Sequence, residues 1–369
     1  MSVDHHKKPF DEGTIAKLDI FEDYAEAWLP TFVMAGHPRV AIFDLFAGPG
    51  YDANGNPGSS IRSLRVIKGQ IGNILTRGVK VELHFNEFNQ RKAKILKAAC
   101  DEYLVRNPDV SRAVTISISS EDFDVCFRRL EPHIGIAPSL VYLDQSGIKA
   151  IRRDYFGALE GKTHTDFLYF VSSSYFWRFG DKAEFKLYLD IDLEQAKADP
   201  YFFVHRHVLD RIKATLPGQT KLKLYPFSIK KGANIYGIIF GATHVAAVEK
   251  FLRIAWKRNE INGEANFDID RDLSKDQPDL WGEKPLTKLE AFERDVCEAV
   301  LQGKIRNNRE ALEFAYSRGH IGTHASDVLQ KMRKESLISF EGRSPLVTYD
   351  KVFKEKRIIA YEVETHGSK

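Results

Sequence analysis

Short apolar runs alternate with helical patterns over the first 260 residues of the chain. Apolar side chains recur every three or four positions over 14–29, which predicts a helix that begins near Thr14. Ser59 or Ser60 is predicted to cap a second helix, and similar spacings predict helices over 89–104 and 123–131. The apolar runs predict strands at 39–46, 79–86, 114–118, 139–143 and 166–172. This order predicts a parallel sheet covered by helices on both faces.

The next part of the chain departs from this alternation. Residues 175–215 are helical in pattern and rich in aromatic side chains, which predicts a helical insertion. Residues 222–227 and 235–240 resemble two strands joined by a polar turn, and a helix is predicted over 244–257. We therefore expect residues 1–260 to form a doubly wound α/β domain with an antiparallel edge.

The composition changes again near residue 260. Residues 261–285 are polar and poor in periodic apolar positions, which predicts a linker or an extended arm. Three helical patterns and two β-rich segments follow, at 286–302, 308–317, 323–335, 337–340 and 358–362. That order is typical of a winged helix-turn-helix, so residues 286–369 are predicted to form a winged helix-like domain.

Composition narrows the functional classes. A net charge of +3 over 369 residues allows a nucleic-acid partner without requiring one. The three cysteines, at positions 100, 126 and 297, form no C-x-x-C pair, so neither a metal site nor a disulfide framework is expected. No apolar run of about 18 residues and no apolar leader is present, and we expect a cytoplasmic location without a membrane span.

The most informative stretch is the turn after the first predicted strand. Residues 44–50 read Asp-Leu-Phe-Ala-Gly-Pro-Gly, and Gly48-Pro49-Gly50 cannot continue a strand. Gly48 and Gly50 let the backbone approach a ligand closely, because neither carries a Cβ atom. The pattern resembles the first motif of class I S-adenosylmethionine (SAM) methyltransferases, in which this turn cradles the methionine end of the cofactor. The alternative is an ordinary βα turn of another doubly wound fold.

Several further segments resemble one family, the bacterial three-Cys-motif partner (TcmP) proteins. The matching stretches are Thr-Ile-Ala-Lys-Leu-Asp-Ile at 14–20, the turn at 44–50, Pro-Gly-Ser-Ser at 57–60 and Gly-Glu-Ala-Asn-Phe-Asp-Ile-Asp-Arg at 263–271. The resemblance implies a Rossmann-like SAM methyltransferase domain followed by a winged helix. It also implies a genomically linked partner protein that carries the three cysteines.

The resemblance implies a set of cofactor contacts. Asp44 would position the ammonium group, Glu87 would accept hydrogen bonds from the ribose hydroxyls, and Lys17 would reach the cofactor carboxylate. Asp122 would receive the adenine amino group and Phe123 would flank the base, although Glu121 could replace Asp122. The turn adds Phe46, Ala47, Gly48 and Gly50. Each charged residue has an ordinary alternative: a turn or helix cap for the acids, and a solvated surface position for Lys17.

Asp144 is the predicted catalytic residue, because ligands of doubly wound sheets bind beyond the carboxyl ends of the strands. Methyl transfer needs in-line placement and an acceptor for the incoming nucleophile. Members of the family tend to have Asp-Pro-Phe/Tyr-Gly here, whereas residues 144–147 read Asp-Gln-Ser-Gly. The proline and the aromatic ring that would stack on a base are therefore missing. The other aromatic residues that could supply a ring are Tyr155, Tyr175, Phe176 and Trp177.

Two functions remain open from the sequence. The first is a SAM-dependent methyltransferase acting on a nucleic acid or a nucleic-acid-associated substrate, with DNA or RNA contacted by Lys331, Arg333 and Lys334 of the third C-terminal helix. The second is a non-catalytic interaction protein that keeps the SAM fold and works with an obligate partner. The Gln-Ser replacement favours the second function and the glycine turn favours the first.

Overall fold

The structure, a computed structural model, describes residues 9–144, 153–172, 198–202, 207–232, 234–275 and 284–364, together with Asp192 and Glu194. The chain divides into two compact units, Met1–Ala247 and Val248–Lys369.

The first unit is an α/β domain. Its described helices are α1 (Glu12–Met34), α2 (Ser59–Gly69), α3 (Ile71–Thr76), α4 (Gln90–Arg106), α5 (Pro108–Ala113), α6 (Phe123–Leu130), α7 (Arg153–Glu160) and α8 (Leu209–Thr215), with short turns of 3-10 helix at Glu131–His133 and Pro200–Phe202. Its described strands are β1 (Arg39–Asp44), β2 (Lys80–Asn86), β3 (Val114–Ser119), β4 (Ser139–Leu143), β5 (Thr165–Ser172), β6 (Lys223–Lys231) and β7 (Asn234–Ala242).

These strands form one sheet in the order β3-β2-β1-β4-β5-β7-β6. The first five strands run parallel, whereas β7 is antiparallel to both β5 and β6. The mostly parallel sheet flanked by helices is compatible with a Rossmann-like fold, so the predicted α/β class is confirmed. The hairpin strands extend further than the predicted 222–227 and 235–240, because β6 and β7 pair from Lys223↔Ala242 to Lys231↔Asn234.

The two faces of the sheet bury different helices. Side chains of consecutive strand residues point to opposite faces. On one face, Phe43 of β1 and Val141 of β4 join a core that includes residues of α6, α7 and α8. On the other face, α1 packs its aromatic stripe on the sheet, with Phe21 against Tyr142 at 4.5 Å between ring centroids. Farther along the same stripe, the Tyr24 hydroxyl donates to Asp166 Oδ2 at 2.7 Å.

The N-cap of helix α1 lies three residues before Thr14, the residue that the sequence suggested as the cap. Asp11 is the N-cap, and its Oδ1 accepts a hydrogen bond from the backbone N–H of Thr14 at 2.9 Å. Thr14 is therefore an N3 position rather than the cap, because the Asp11 carboxylate already satisfies the helix terminus.

The predicted insertion at 175–215 falls mostly outside the described residues. Within its described part, the chain forms the turn Pro200–Phe202 and helix α8. Residues Val208, Leu209 and Ile212 of this segment are buried in the core beneath the sheet.

The second unit begins within α9 (Val245–Arg258). The domain boundary predicted at residue 260 therefore lies inside this unit, because the apolar face of α9 remains buried, with Phe251 and Trp256 both 4% exposed or less. The described part of the predicted arm at 261–285 is folded: Asn262 and Ala265 have no exposed surface. Asn262 Nδ2 donates to the carbonyl oxygen of Phe267 at 3.0 Å, which closes this segment into a compact turn.

Three helices and a two-stranded sheet complete the second unit. The described elements after α9 are the 3-10 turn Asp272–Ser274, α10 (Lys288–Leu301), α11 (Asn308–Ser317), α12 (Gly322–Lys334), β8 (Ile338–Ser339), the π-helical turn Asp350–Lys354 and β9 (Glu362–Val363). Strands β8 and β9 are antiparallel, with Ile338 opposite Val363. The second strand lies later than the predicted 358–362.

One glycine tests how tightly the sheet of the first unit is packed. A Cβ atom on Gly241 would lie 2.0 Å from Cζ of Phe167, the residue opposite it on β5. We expect Gly241→Ala to lower the free energy of unfolding by about 3 kcal/mol in denaturant titrations, because the buried ring has no space to retreat. Gly69→Ala is the control, since Gly69 is exposed near the end of α2 with open space around it. A loss that is the same for both variants would contradict the packing argument.

Candidate functional site

The order of strands reverses between β1 and β4. The chain moves from β1 to β2 and β3 on one side and then returns to β4 on the other side. A crevice at such a switch point, beyond the carboxyl ends of the strands, is where doubly wound folds bind ligands. Asp44 is the last residue of β1, Glu87 follows β2 and Asp144 follows β4. Three predicted site residues therefore end neighbouring strands at this edge.

The turn after β1 is tied to both neighbouring strands. The Leu45 N–H donates to the Tyr142 carbonyl oxygen at 3.3 Å, and the Ala47 N–H donates to the Asn86 carbonyl oxygen at 2.9 Å. Gly48 and Gly50 have φ values of 63° and 93°, in the left-handed region that favours glycine. These hydrogen bonds and the two left-handed glycines fix the backbone conformation of the turn at the carboxyl end of β1.

The loop that follows the turn closes on itself. The Gly58 N–H donates to the Gly50 carbonyl oxygen at 2.7 Å. The Asp52 carboxylate accepts hydrogen bonds from the backbone N–H groups of Phe10, Asn54 and Asn56, at 2.6, 2.9 and 2.8 Å. The chain thus returns to the start of α2 directly beside β1.

Asp44 is fully buried and has specific partners. Ser59 Oγ donates to its Oδ2 at 2.5 Å, and the Phe46 N–H donates to its Oδ1 at 3.2 Å. Burial raises the pKa of Asp44 to about 7, and the negative charges of Asp144 and Glu87 contribute, although the two hydrogen bonds oppose the shift. The group therefore changes charge near neutral pH.

The prediction that Ser59 or Ser60 caps α2 is wrong. Gly58 is the N-cap of α2 and offers no side-chain hydrogen bond. Ser59 lies inside the helix, where its hydroxyl reaches Asp44 instead of the helix terminus. Sequence reasoning missed Ser59 as a site residue because a serine before an apolar run is the ordinary signature of a cap.

Lys17 and Asp144 form an ion pair between Nζ and Oδ2. Lys17 is only 8% exposed, so the solvated alternative is wrong. It lies on the stripe of α1 that contains Phe21 and Tyr24, at spacings of four and three, and this stripe faces the sheet. Its ammonium also lies 4.2 Å from the ring centroid of Phe170 on β5. The catalytic candidate and a cofactor candidate are therefore partners of each other.

The buried Tyr142 hydroxyl, which interacts electrostatically with Asp144, has no hydrogen-bond partner among the described residues, and neither has Ser60 Oγ on α2. Tyr142 lies opposite Asp44 in the β1–β4 register. Burial, followed by the charges of Asp144 and Asp44, raises the pKa of Tyr142 well above its usual range. Unsatisfied buried donors cost stability, which is why they are typical of sites that receive a ligand or water. The sequence offered no signal for Tyr142, which reads as one apolar position of a buried strand.

A buried amide braces the edge between β1, β2 and β3. Asn86 Oδ1 accepts from Ser119 Oγ at 2.9 Å and from the Glu121 N–H at 3.0 Å. Glu87 follows and remains partly exposed, with Oε1 accepting from the Asn89 N–H at 2.8 Å. The ribose candidate therefore keeps its second carboxylate oxygen without a partner among the described residues.

The adenine candidates are placed less favourably. Asp122 is exposed and is the N-cap of α6, with Oδ1 accepting from the Asp124 N–H at 3.0 Å. Glu121 forms an ion pair with Arg129, with a shortest distance of 2.5 Å. Both acids therefore already have a partner on α6.

Phe46 and Phe123 stack on each other with ring centroids 4.9 Å apart. Tyr155 meets Phe123 edge-on at 4.9 Å and is itself buried, with its hydroxyl donating to Asp124 at 2.6 Å. Tyr155 is therefore a core residue rather than a replacement for the missing ring. Outside the described residues lie the other candidates for that ring, Tyr175, Phe176 and Trp177. The same holds for Gln145–Gly147 of the altered motif.

The basic residues of α12 separate into two groups. Lys331 forms an ion pair with Glu293 of α10. Arg333 donates from Nη1 to the Gly342 carbonyl oxygen at 2.6 Å. Lys334 has no ion-pair partner in the described part of the chain. The three residues predicted to contact nucleic acid therefore differ in whether their charge already has a partner.

The donor set suits SAM as far as its charges are concerned. This edge of the sheet combines a buried carboxylate for a cation, a lysine for a carboxylate, a free carboxylate oxygen for a diol and the unsatisfied hydroxyl of Tyr142. Among the described residues, no group of three or more His, Cys, Asp or Glu side chains could hold a metal ion. No helix within the described ranges combines the length and apolar character needed to cross a membrane.

Comparisons of the sequence with known proteins give no match for this chain. A scan against models of protein families gives no match, and a search of curated proteins finds no significantly similar sequence.

Proposed function

We propose that the chain is a SAM-dependent methyltransferase of the TcmP type, acting on a nucleic acid or a nucleic-acid-associated substrate. One observation carries the proposal: the fully buried Asp44 and the Lys17–Asp144 pair meet at the switch point of a mostly parallel sheet, beside a turn with two left-handed glycines. An ordinary βα turn has no need of a buried carboxylate with a pKa near neutrality.

In this proposal each charge of the crevice has a complement on the cofactor. Asp44 holds the ammonium group, with Ser59 orienting the carboxylate. Lys17 holds the carboxylate of the methionine end, and Glu87 binds the ribose hydroxyls through its free oxygen. Gly48 and Gly50 admit the backbone of the turn to contact distance.

Asp144 accepts a hydrogen bond or a proton from the incoming nucleophile. Bound SAM supplies a methyl group activated by the neighbouring sulfonium. The protein contributes orientation and an acceptor, which is the larger part of what such a transfer requires. Because Lys17 neutralises Asp144 in the free protein, release of this ion pair precedes the reaction.

A winged helix formed by residues 286–369 would deliver the substrate. The order of three helices and a two-stranded sheet supports this part of the proposal, since winged helices contact nucleic acids through the third helix and the hairpin. Of the expected contacts Lys331, Arg333 and Lys334, the last has no ion-pair partner among the described residues and remains available for phosphate.

One observation favours a second function, a non-catalytic partner protein that retains the SAM fold. Asp144 is held by Lys17 as an ion pair, so its carboxylate is not free to accept a hydrogen bond from a nucleophile while the pair persists. In this alternative the chain keeps the SAM fold, with or without bound cofactor, and works as the obligate partner of a genomically linked three-Cys-motif protein.

Calorimetry with S-adenosylhomocysteine and SAM tests the proposal. We expect dissociation constants in the micromolar range, about −8 kcal/mol. Gly48→Ala should weaken binding at least tenfold, because the added Cβ enters the space of the ligand. Gly55→Ala is a matched control: Gly55 also has a positive φ, of 79°, and has open space around it. The backbone cost of about 1 kcal/mol is then shared by both variants.

The outcomes separate the two functions. Binding together with transfer of a labelled methyl group to DNA, RNA or protein supports the enzyme. Binding without transfer, even with the genomic partner present, supports the partner protein. No heat with either ligand contradicts the proposed SAM site and leaves the partner protein without bound cofactor.

A further inference from the structure

A cavity of about 290 Å³ lies on the second unit, where α12 meets the loop after β8. It is lined by Gln330, Arg333, Lys334, Phe340 and Arg343. Three of the five lining side chains are cations, and all three are exposed. Arg343 is not on the helix at all, so the sequence pattern of α12 could not include it.

The cations of the cavity lack acidic partners. Neither Lys334 nor Arg343 forms an ion pair with a carboxylate in the described part of the chain, although Glu335 and Glu341 are close in sequence. The positive charge is therefore available to a ligand. By contrast, Lys331 lies about one helical turn before Lys334 and is neutralised by Glu293.

Arg333 organises the cavity. Its guanidinium lies 4.6 Å from the ring centroid of Phe340 and donates to the carbonyl oxygen of Gly342. Gly342 has a φ of 86°, and this turn presents the next residue, Arg343. The stacked guanidinium thus fixes the loop before a ligand arrives, which reduces the entropic cost of binding.

The ligand chemistry follows from these groups. Arginine offers a planar fork of donors that fits phosphate oxygens, and lysine adds a mobile ammonium. Phe340 is only 8% exposed and its face is covered by Arg333, so the ring cannot serve as a platform for a base. The cavity suits phosphate groups and offers no means of reading a sequence.

We propose that this cavity binds backbone phosphates of a nucleic-acid strand through Arg343 and Lys334, with Arg333 as a positioning residue. The inference rests on the nucleic-acid substrate proposed above, and it replaces Lys331 with Arg343 among the contacts. The shared chemistry is a phosphate ester, and a strand differs from a free nucleotide in supplying several phosphates at once.

The test measures binding of fluorescent 20-mers of duplex DNA, single-stranded DNA and single-stranded RNA to the full chain by anisotropy. We expect Arg343→Ala and Lys334→Ala each to weaken binding to at least one 20-mer about tenfold at low salt. Each should also flatten the dependence of log affinity on log salt by roughly one unit. Lys331→Ala is the matched control, with the same charge change on the same helix, and should alter affinity less than twofold.

Thermal unfolding of each variant checks that the second unit remains folded, and Arg343→Lys should recover part of the affinity. ATP and inorganic phosphate serve as competitors. Tight binding of ATP without binding of any 20-mer would overturn the assignment to a strand. Binding of a 20-mer that Arg343→Ala leaves unchanged would overturn the cavity while leaving the nucleic-acid substrate intact. If no 20-mer binds, both the phosphate-binding cavity and the nucleic-acid substrate are contradicted. Calorimetry with SAM still tests the cofactor site separately.

Discussion

Asp144→Asn should lower the rate of methyl transfer by about 100-fold or more, because it removes the acceptor for the proton of the nucleophile. The affinity for S-adenosylhomocysteine should change much less, since Asp144 is proposed to face the substrate rather than the cofactor. Single-turnover transfer of labelled methyl groups measures the first quantity and calorimetry measures the second.

The same substitution leaves Lys17 without its counter-ion. Lys17 is almost completely buried, so Asp144→Asn should also destabilise the protein by about 1–3 kcal/mol. The double variant Lys17→Met/Asp144→Asn removes both charges and should regain most of that stability without regaining transfer. Activity that recovers together with stability in the double variant would show that Asp144 is only a structural partner of Lys17.

Asp44→Asn should have opposite effects on stability and on cofactor binding. Burial raises the pKa of Asp44 from 3.8 to about 7 in the folded protein. Between about pH 4 and pH 7 the folded state therefore binds more protons than the unfolded state, and this group makes the protein less stable as the pH rises through that window. Below pH 4 and above pH 7 its contribution no longer changes.

Asparagine keeps the shape and carries no charge. Asp44→Asn should therefore be more stable than the wild type at pH 8, by on the order of 2–4 kcal/mol, and the advantage should vanish near pH 4. Denaturant titrations at both pH values measure this difference. Ser59→Ala is a useful control, because it removes the hydroxyl that donates to Asp44 and keeps the carboxylate.

Cofactor binding should respond in the other direction. An ammonium group needs the ionised carboxylate, so wild-type affinity should rise with pH up to about 7 and then level off. Asp44→Asn should bind about 100-fold more weakly at pH 8 and should lose this pH dependence. A variant that is less stable at pH 8, or that binds S-adenosylhomocysteine as the wild type does, would assign Asp44 to the fold alone.

The strands and the turn were predictable because their determinants are local. Apolar runs of the right length stand before Asp44, Glu87 and Asp144, and the observed strands end next to each of these residues. The helix caps were less predictable, since Asp11 and Gly58 rather than Thr14 and a serine cap α1 and α2. A cap depends on which of several adjacent polar groups reaches the helix terminus, and tertiary partners compete for the same side chains.

The sequence by itself determined the α/β class, the order of elements and the placement of acids at strand ends, because period and turn chemistry act over a few residues. Only the tertiary structure decided that Lys17 is buried against Asp144 and that Ser59 donates to Asp44. It also decided that the Tyr142 hydroxyl is unsatisfied and that Arg343 and Lys334 line the same cavity. Lys17 and Asp144 are more than 100 residues apart in the chain and Ser59 and Asp44 are 15 apart, whereas a loop brings Arg343 next to Lys334. Burial and charge pairing of this kind arise when the sheet assembles, and no local pattern records them.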